Sequence, residues 1–129
     1  AVMVNPDKVP LISVGDRERL LKKLFSGDKR VKVRTFCGAA VDLLNEENTR
    51  FYVRGVRNTV DFEYENGDRF ASEKLMPDLI TIYIPADQDD LHISSSIVRN
   101  SVRFGKDYAD YIPESILNEL RQILEKKDV

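Results

Sequence analysis

Arg54 and Arg57 stand three residues apart in Arg50-Phe51-Tyr52-Val53-Arg54-Gly55-Val56-Arg57-Asn58, and Asp61-Phe62-Glu63-Tyr64-Glu65 follows. A guanidinium makes paired bonds to phosphate or carboxylate oxygens, and a glycine beside it lets backbone approach a ligand closely. The spacing predicts a phosphate clamp; pairing of the two arginines with Asp61, Glu63 or Glu65 at the surface is the other reading, and both stay open. Lys8 lies in the turn Asn5-Pro6-Asp7-Lys8-Val9-Pro10, either as a third cation for an anionic substrate or as a solvated loop lysine. Ser94-Ser95-Ser96 opens a helical pattern. Serines cap helix starts, where free N–H groups also attract anions. Three in a row exceed what one cap needs, so a phosphate site stands beside simple capping. His92, the single histidine, has no second histidine or nearby cysteine to make a metal site, and Cys37 has no companion histidine to make it a nucleophile. A half-buried or buried thiol is expected there. No G-x-x-x-x-G-K-[ST] or G-x-G-x-x-G fingerprint is present.

The elements that must position these groups follow from periodicity. Residues 1–4 read as a strand already under way, ended by the two prolines. Ser13 opens a helix bearing Leu20, Leu21, Leu24 and Phe25, with Gly27 as its stop. Residues 31–36 alternate as a half-buried strand. A short helix over residues 39–44 follows Gly38, and its small residues leave room for a ligand or for tight packing. Phe51-Tyr52-Val53 reads as a buried strand that breaks at Arg54-Gly55. Asn58 then caps a helix carrying Val60, Phe62, Tyr64, Phe70 and Leu75, with a bend expected at the polar run around Gly67. Residues 79–84 form the clearest strand, ended by Pro85. An acidic loop over residues 86–91 leads to the serine helix. A last helix starts at Pro113 and carries Ile116, Leu117, Leu120, Ile123 and Leu124.

That alternation predicts an α/β domain spanning residues 1–129, a parallel sheet with helices on both faces. Ligands bind such sheets at the carboxyl ends of strands. Lys8, the Arg54/Arg57 pair and the serine helix start are all expected there. The length suits one domain. A net charge of −2 offers no basic face for nucleic acid. No apolar run reaches the roughly 20 residues of a membrane span. One cysteine excludes an internal disulfide and suits a reducing, cytoplasmic setting.

Arg54-Gly55-Val56-Arg57, Asp61-Phe62-Glu63-Tyr64-Glu65, Leu75-Met76-Pro77, Ile93-Ser94-Ser95-Ser96 and Phe104-Gly105-Lys106-Asp107 together resemble bacterial phosphopantetheine adenylyltransferase, from Ala1 to about Leu124. The resemblance implies a Rossmann-like fold. It also implies transfer of AMP from ATP to 4′-phosphopantetheine with Mg²⁺, giving dephospho-CoA and pyrophosphate, in a cytoplasmic homohexamer with no nucleic acid or membrane partner. By carry-over, Lys8 and Arg57 act at the reacting phosphates. Lys8, Ala40 and Arg54 hold 4′-phosphopantetheine. Gly55, Val56, Arg57, Glu65, Asp90, Leu91, His92, Ile93, Ser94, Ser95 and Ser96 contact ATP. The family's opening strand and G-[ST]-F-D-P-x-x-x-G-H turn are not in these residues, and the helix after that strand is missing with them. A truncated chain of little or no activity is therefore expected. A related nucleotidyltransferase with another phosphorylated acceptor and a non-catalytic nucleotide- or CoA-binding module are the alternatives.

Overall fold

The computed structural model describes residues 1–5 and 9–126. They form two compact units, Ala1–Cys37 with Ser94–Val129, and Gly38–Ile93. Four strands and five α-helices are present among the described residues.

In the first unit, β1 (Val2–Met3) pairs in parallel with β2 (Thr35–Phe36), Val2 opposite Thr35 and Met3 opposite Phe36. Val2 N–H donates to the Arg34 carbonyl at 2.7 Å and Val4 N–H to that of Phe36 at 2.8 Å. The alternation over residues 31–36 thus overstates the strand. A strand is only as long as its partner's ladder, and β1 provides two residues before the chain reaches Asn5. Upstream, residues 28–31 turn, with Val31 N–H bonded to the Asp28 carbonyl at 3.1 Å.

Helix α1 (Val14–Leu24) starts where expected, Ser13 Oγ accepting from Asp16 N–H at 3.0 Å. It ends at Leu24, before Gly27, which has no left-handed φ and is not the stop. Helix α4 spans Ser95–Arg103 and α5 spans Glu114–Glu125. Ile116, Leu120, Ile123 and Leu124 recur at helical spacing on α5 and bury against Leu20 of α1. Across this seam Glu119 takes Arg19 Nε at 2.8 Å and Lys23 Nζ at 3.0 Å. Lys23 first, then Arg19, holds the Glu119 carboxyl below its usual value of 4.5. The stabilisation from this depressed pKa is present above that value and lost as pH falls through the folded one. Glu119→Gln should therefore lower thermal stability modestly above about pH 4.5 and converge with the parent in acid, which flattens the acid limb. Melting curves across pH check this, and an unaltered acid limb would refute it.

In the second unit, β3 (Phe51–Val56) and β4 (Ile80–Pro85) pair in parallel along their full lengths, from Phe51 opposite Ile80 to Val56 opposite Pro85. The strand does not break at Arg54-Gly55. A six-residue partner supplies the ladder through Gly55, and Ala86 N–H extends it to the Val56 carbonyl at 2.9 Å. Among the described residues β1 pairs with β2 and β3 with β4, and both pairs are parallel, as the predicted α/β arrangement requires.

The alternation on β3 sorts two faces. Tyr52, Arg54 and Val56 share one with Thr81, Tyr83 and Pro85; Phe51, Val53 and Gly55 share the other with Ile80, Ile82 and Ile84. Helix α3 (Thr59–Leu75) packs on the first, its Phe62 ring edge-on to Tyr83 with centroids 5.1 Å apart. Phe51, Val53 and Ile84 on the second remain about half exposed. Helix α2 (Ala40–Glu46) contributes Val41 and Leu44 to a core with Met76 and Leu79, and the Tyr52 ring packs against it.

Helix α3 departs from expectation twice. Val60, Phe62, Tyr64, Phe70 and Leu75 are all exposed, so the anticipated apolar stripe is not its buried face, and its buried residue is Ser72. Helical rotation puts residues 60 and 62 on different sides, so Phe62 can meet Tyr83 while Val60 does not share its face. The helix also runs unbroken through Asn66-Gly67. Asn58 Oδ1 caps it by accepting from Asp61 N–H at 2.9 Å, and Arg69 bonds Asn66 at 3.1 Å and Glu73 at 2.7 Å.

Candidate active site

Arg54 lies within β3, on the face covered by α3, because the strand continues past it. Its Nε and Nη2 donate to the two carboxylate oxygens of Glu65 on α3, each at 2.5 Å. Its Nη1 donates to the Tyr52 hydroxyl at 2.6 Å. The Glu65 side chain is only 14% exposed, so this is a half-buried strand-to-helix tie rather than a loose surface pair. The bond to Glu65 raises the Arg54 guanidinium above its ordinary value, against the opposing effect of burial.

Arg57 sits just beyond the carboxyl end of β3. Its Nε and Nη2 reach Asp61 at 2.8 and 3.1 Å, as the four-residue spacing into a helix start allows, and its Nη1 reaches the Ile93 carbonyl at 3.3 Å. Hydrogen bonding to Asp61 raises Arg57, and Arg57 in turn lowers the Asp61 carboxyl. Both carboxylate pairings foreseen for the arginines therefore exist. They engage one side of each guanidinium without using all of its N–H groups.

Asp90 ends a 3-10 turn, Gln88–Asp90, and Ile93 N–H bonds its carbonyl at 3.0 Å. The segment of Asp90, Leu91, His92 and Ile93 is thus tied to Arg57 through Ile93. Gly55 and Val56 occupy the last two positions of β3, and a Cβ built on Gly55 meets no atom within 4 Å. Ala40 is the first residue of α2, whose start has no side-chain cap. Lys8 lies outside the described residues.

The serine run resolves into two roles. Ser94 alone caps α4, its Oγ accepting from Ile97 N–H at 3.2 Å. Ser95 and Ser96 instead receive Arg99, at 3.0 and 2.8 Å, which sets a guanidinium beside the first turn of the helix. Arg99 was not singled out from sequence, although its spacing of three and four residues from Ser96 and Ser95 is the helical signal for such a contact. Tyr52, two residues before Arg54 on the same strand face, was read only as core. Cys37 is exposed rather than buried or half-buried. A cavity of about 400 Å³ lined by Leu44, Asn48, Arg50, Phe51, Met76 and Asp78 lies at the amino end of β3, the opposite end from Arg57.

Among the described residues no three or more His, Cys, Asp or Glu side chains gather as a metal site. None of their helices is long and apolar enough to cross a membrane.

The cytidylyltransferase-like family model matches residues 1–101, through both units. The chain belongs to the cytidylyltransferase-like family. Its parallel strands and five helices are a Rossmann-like α/β arrangement of that family. Among its relatives is the phosphopantetheine adenylyltransferase of Streptococcus pneumoniae (strain CGSP14), 38% identical over 98% of this chain and 78% of that protein. The phosphopantetheine adenylyltransferase of Lawsonia intracellularis (strain PHE/MN1-00) is 35% identical over 91% of this chain and 68% of that protein. That of Shouchella clausii (strain KSM-K16) is 31% identical, over 95% and 77% respectively. Cytidylyltransferase-like membership thus covers the whole Arg54-to-Ser96 region.

Proposed function

We propose that this chain is an adenylyltransferase that moves AMP from ATP to 4′-phosphopantetheine, giving dephospho-CoA and pyrophosphate in coenzyme A biosynthesis. The observation that carries the reading is its similarity, over nine-tenths of its length or more, to relatives named for that activity. The match through residues 1–101 supports a single nucleotidyltransferase domain.

In this reading an oxygen of the acceptor phosphate attacks the α-phosphorus of ATP. A new P–O bond forms, the bond from the α-phosphorus to the α–β bridging oxygen breaks, and pyrophosphate leaves with that electron pair. The protein's work is positioning and charge stabilisation. Arg54 holds the acceptor phosphate through N–H groups not taken by Glu65 and Tyr52. Arg57 and the Ser94–Ser96 helix start hold ATP phosphates, and Lys8 is assigned to the reacting phosphates by the resemblance alone. Gly55, Val56 and residues 90–93 flank the adenosine, Ala40 meets the pantetheine arm, and Glu65 borders the nucleotide while binding Arg54.

The described side chains form no cage for a resident metal. Mg²⁺ is proposed to arrive on the ATP phosphates, as is usual for this ion. The proposal places the enzyme in the cytoplasm as a homohexamer, without nucleic-acid or membrane partners.

The test is pyrophosphate release from ATP and Mg²⁺ with 4′-phosphopantetheine, on this chain and on a version carrying the family's G-[ST]-F-D-P-x-x-x-G-H turn. Turnover in either supports the proposal. Nucleotide binding without turnover in both would replace it with a binding module.

A further inference from the structure

Arg54 has five N–H groups. Glu65 takes one from Nε and one from Nη2, and Tyr52 takes one from Nη1. One N–H on each terminal nitrogen is left. Those two are enough for a two-point contact with a phosphate, and their direction depends on how the guanidinium is turned. Glu65 fixes one edge of the plane. Tyr52 fixes the Nη1 corner, with its ring centre 5.1 Å from the guanidinium carbon.

The Tyr52 ring cannot drift, because it packs against the core of Val41, Leu44, Met76 and Leu79. Of Glu65 and Tyr52, it is the partner of Arg54 that packs against an apolar core. Burial raises the phenol above its usual value near 10 despite the nearby Arg54 charge, so it remains a neutral hydroxyl whose oxygen accepts from Nη1.

We propose that Tyr52 is a positioning residue for substrate binding, aligning the two remaining N–H groups of Arg54 with the acceptor phosphate. This rests on the reading of Arg54 as the acceptor-phosphate ligand. Tyr52 touches no substrate itself. It ties to the core of Val41, Leu44, Met76 and Leu79 a side chain that is otherwise held by Glu65 alone among the described side chains. The specificity served is for a phosphate monoester on the acceptor rather than for the nucleotide.

Tyr52→Phe keeps the ring in its core and removes only the hydroxyl. Its KM for 4′-phosphopantetheine should rise about five- to tenfold, the worth of one hydrogen bond to a charged group, with KM for ATP within about twofold. In an Arg54→Ala background the same change should do nothing more, since a positioning residue acts only through its partner. An unchanged KM in Tyr52→Phe, or an equal further loss without Arg54, would overturn the proposal. A second measurement needs no substrate. Nitrogen-resolved NMR of Arg54 should show slow rotation about the Cζ–Nη1 bond in the parent and fast averaging in Tyr52→Phe; identical rotation in both would also overturn it. Failure of the parent to bind 4′-phosphopantetheine would overturn the adenylyltransferase reading instead, leaving the NMR comparison to decide on Tyr52.

Discussion

Arg54→Ala, in the version carrying the family's G-[ST]-F-D-P-x-x-x-G-H turn, is expected to raise KM for 4′-phosphopantetheine about a hundredfold while moving KM for ATP by less than about threefold. Loss of a charge-assisted two-point contact amounts to about 3 kcal/mol, which is the hundredfold. The direction is reinforced by what the substitution leaves behind. Glu65, 14% exposed and bonded to Arg54 through both oxygens, would become a stranded carboxylate facing an incoming phosphate. Adding Glu65→Gln to Arg54→Ala should therefore recover part of the acceptor affinity, and this second variant separates lost attraction from new repulsion. Initial-rate kinetics with each substrate varied in turn reads both effects. Equal losses for the two substrates would remove Arg54 from the acceptor side of the site.

Arg57→Ala should act on the other substrate and mostly on turnover. Charge builds on the leaving pyrophosphate as the bond to the α-phosphorus breaks, and a fixed donor there matters more in the transition state than in the ground state. A fall in kcat of about 10²-fold, with KM for ATP up about tenfold and the acceptor KM nearly constant, is expected. The substitution also frees the Ile93 carbonyl and Asp61 from their shared partner. Arg57→Lys distinguishes the roles: it retains the charge but loses the fork, and should fall between the parent and Arg57→Ala. Unaltered kcat and ATP affinity in Arg57→Ala would reduce Arg57 to an exposed ion pair with Asp61.

Local signals in the chain were read well and distant ones poorly, for reasons visible in particular residues. The Ser13, Asn58 and Ser94 caps depend on neighbours three residues away, and each forms as expected. Arg57 with Asp61 is of the same kind. Arg54 with Glu65 was open as one pairing among several, because choosing it requires knowing how α3 crosses β3. The share of Tyr52 in that contact was invisible, since an aromatic in an apolar strand reads as core, and Tyr52 is both core and ligand. Gly55 marked a false strand end because a glycine disfavours a strand that lacks a good partner. Its partner β4 overrides that preference. Residues 31–34 erred the other way, with the alternation of a strand and too short a β1 to pair with. At Gly67 the helix tolerates a cost of about 1 kcal/mol, offset by the Asn58 cap and the bonds of Arg69.

The passage of α3 through Asn66-Gly67 bears on how the protein ages. An asparagine followed by glycine sheds ammonia when the glycine amide nitrogen attacks the side-chain carbonyl to close a five-membered ring. Helical backbone holds that nitrogen away from the carbonyl, and the Arg69 bond keeps Asn66 Oδ1 turned along the helix. Ring closure must wait for this turn of α3 to open. Each opening risks an irreversible isoaspartyl kink one residue from Glu65, so the slow loss of intact Asn66 in storage keeps a cumulative record of how often the helix that orients Arg54 has come undone.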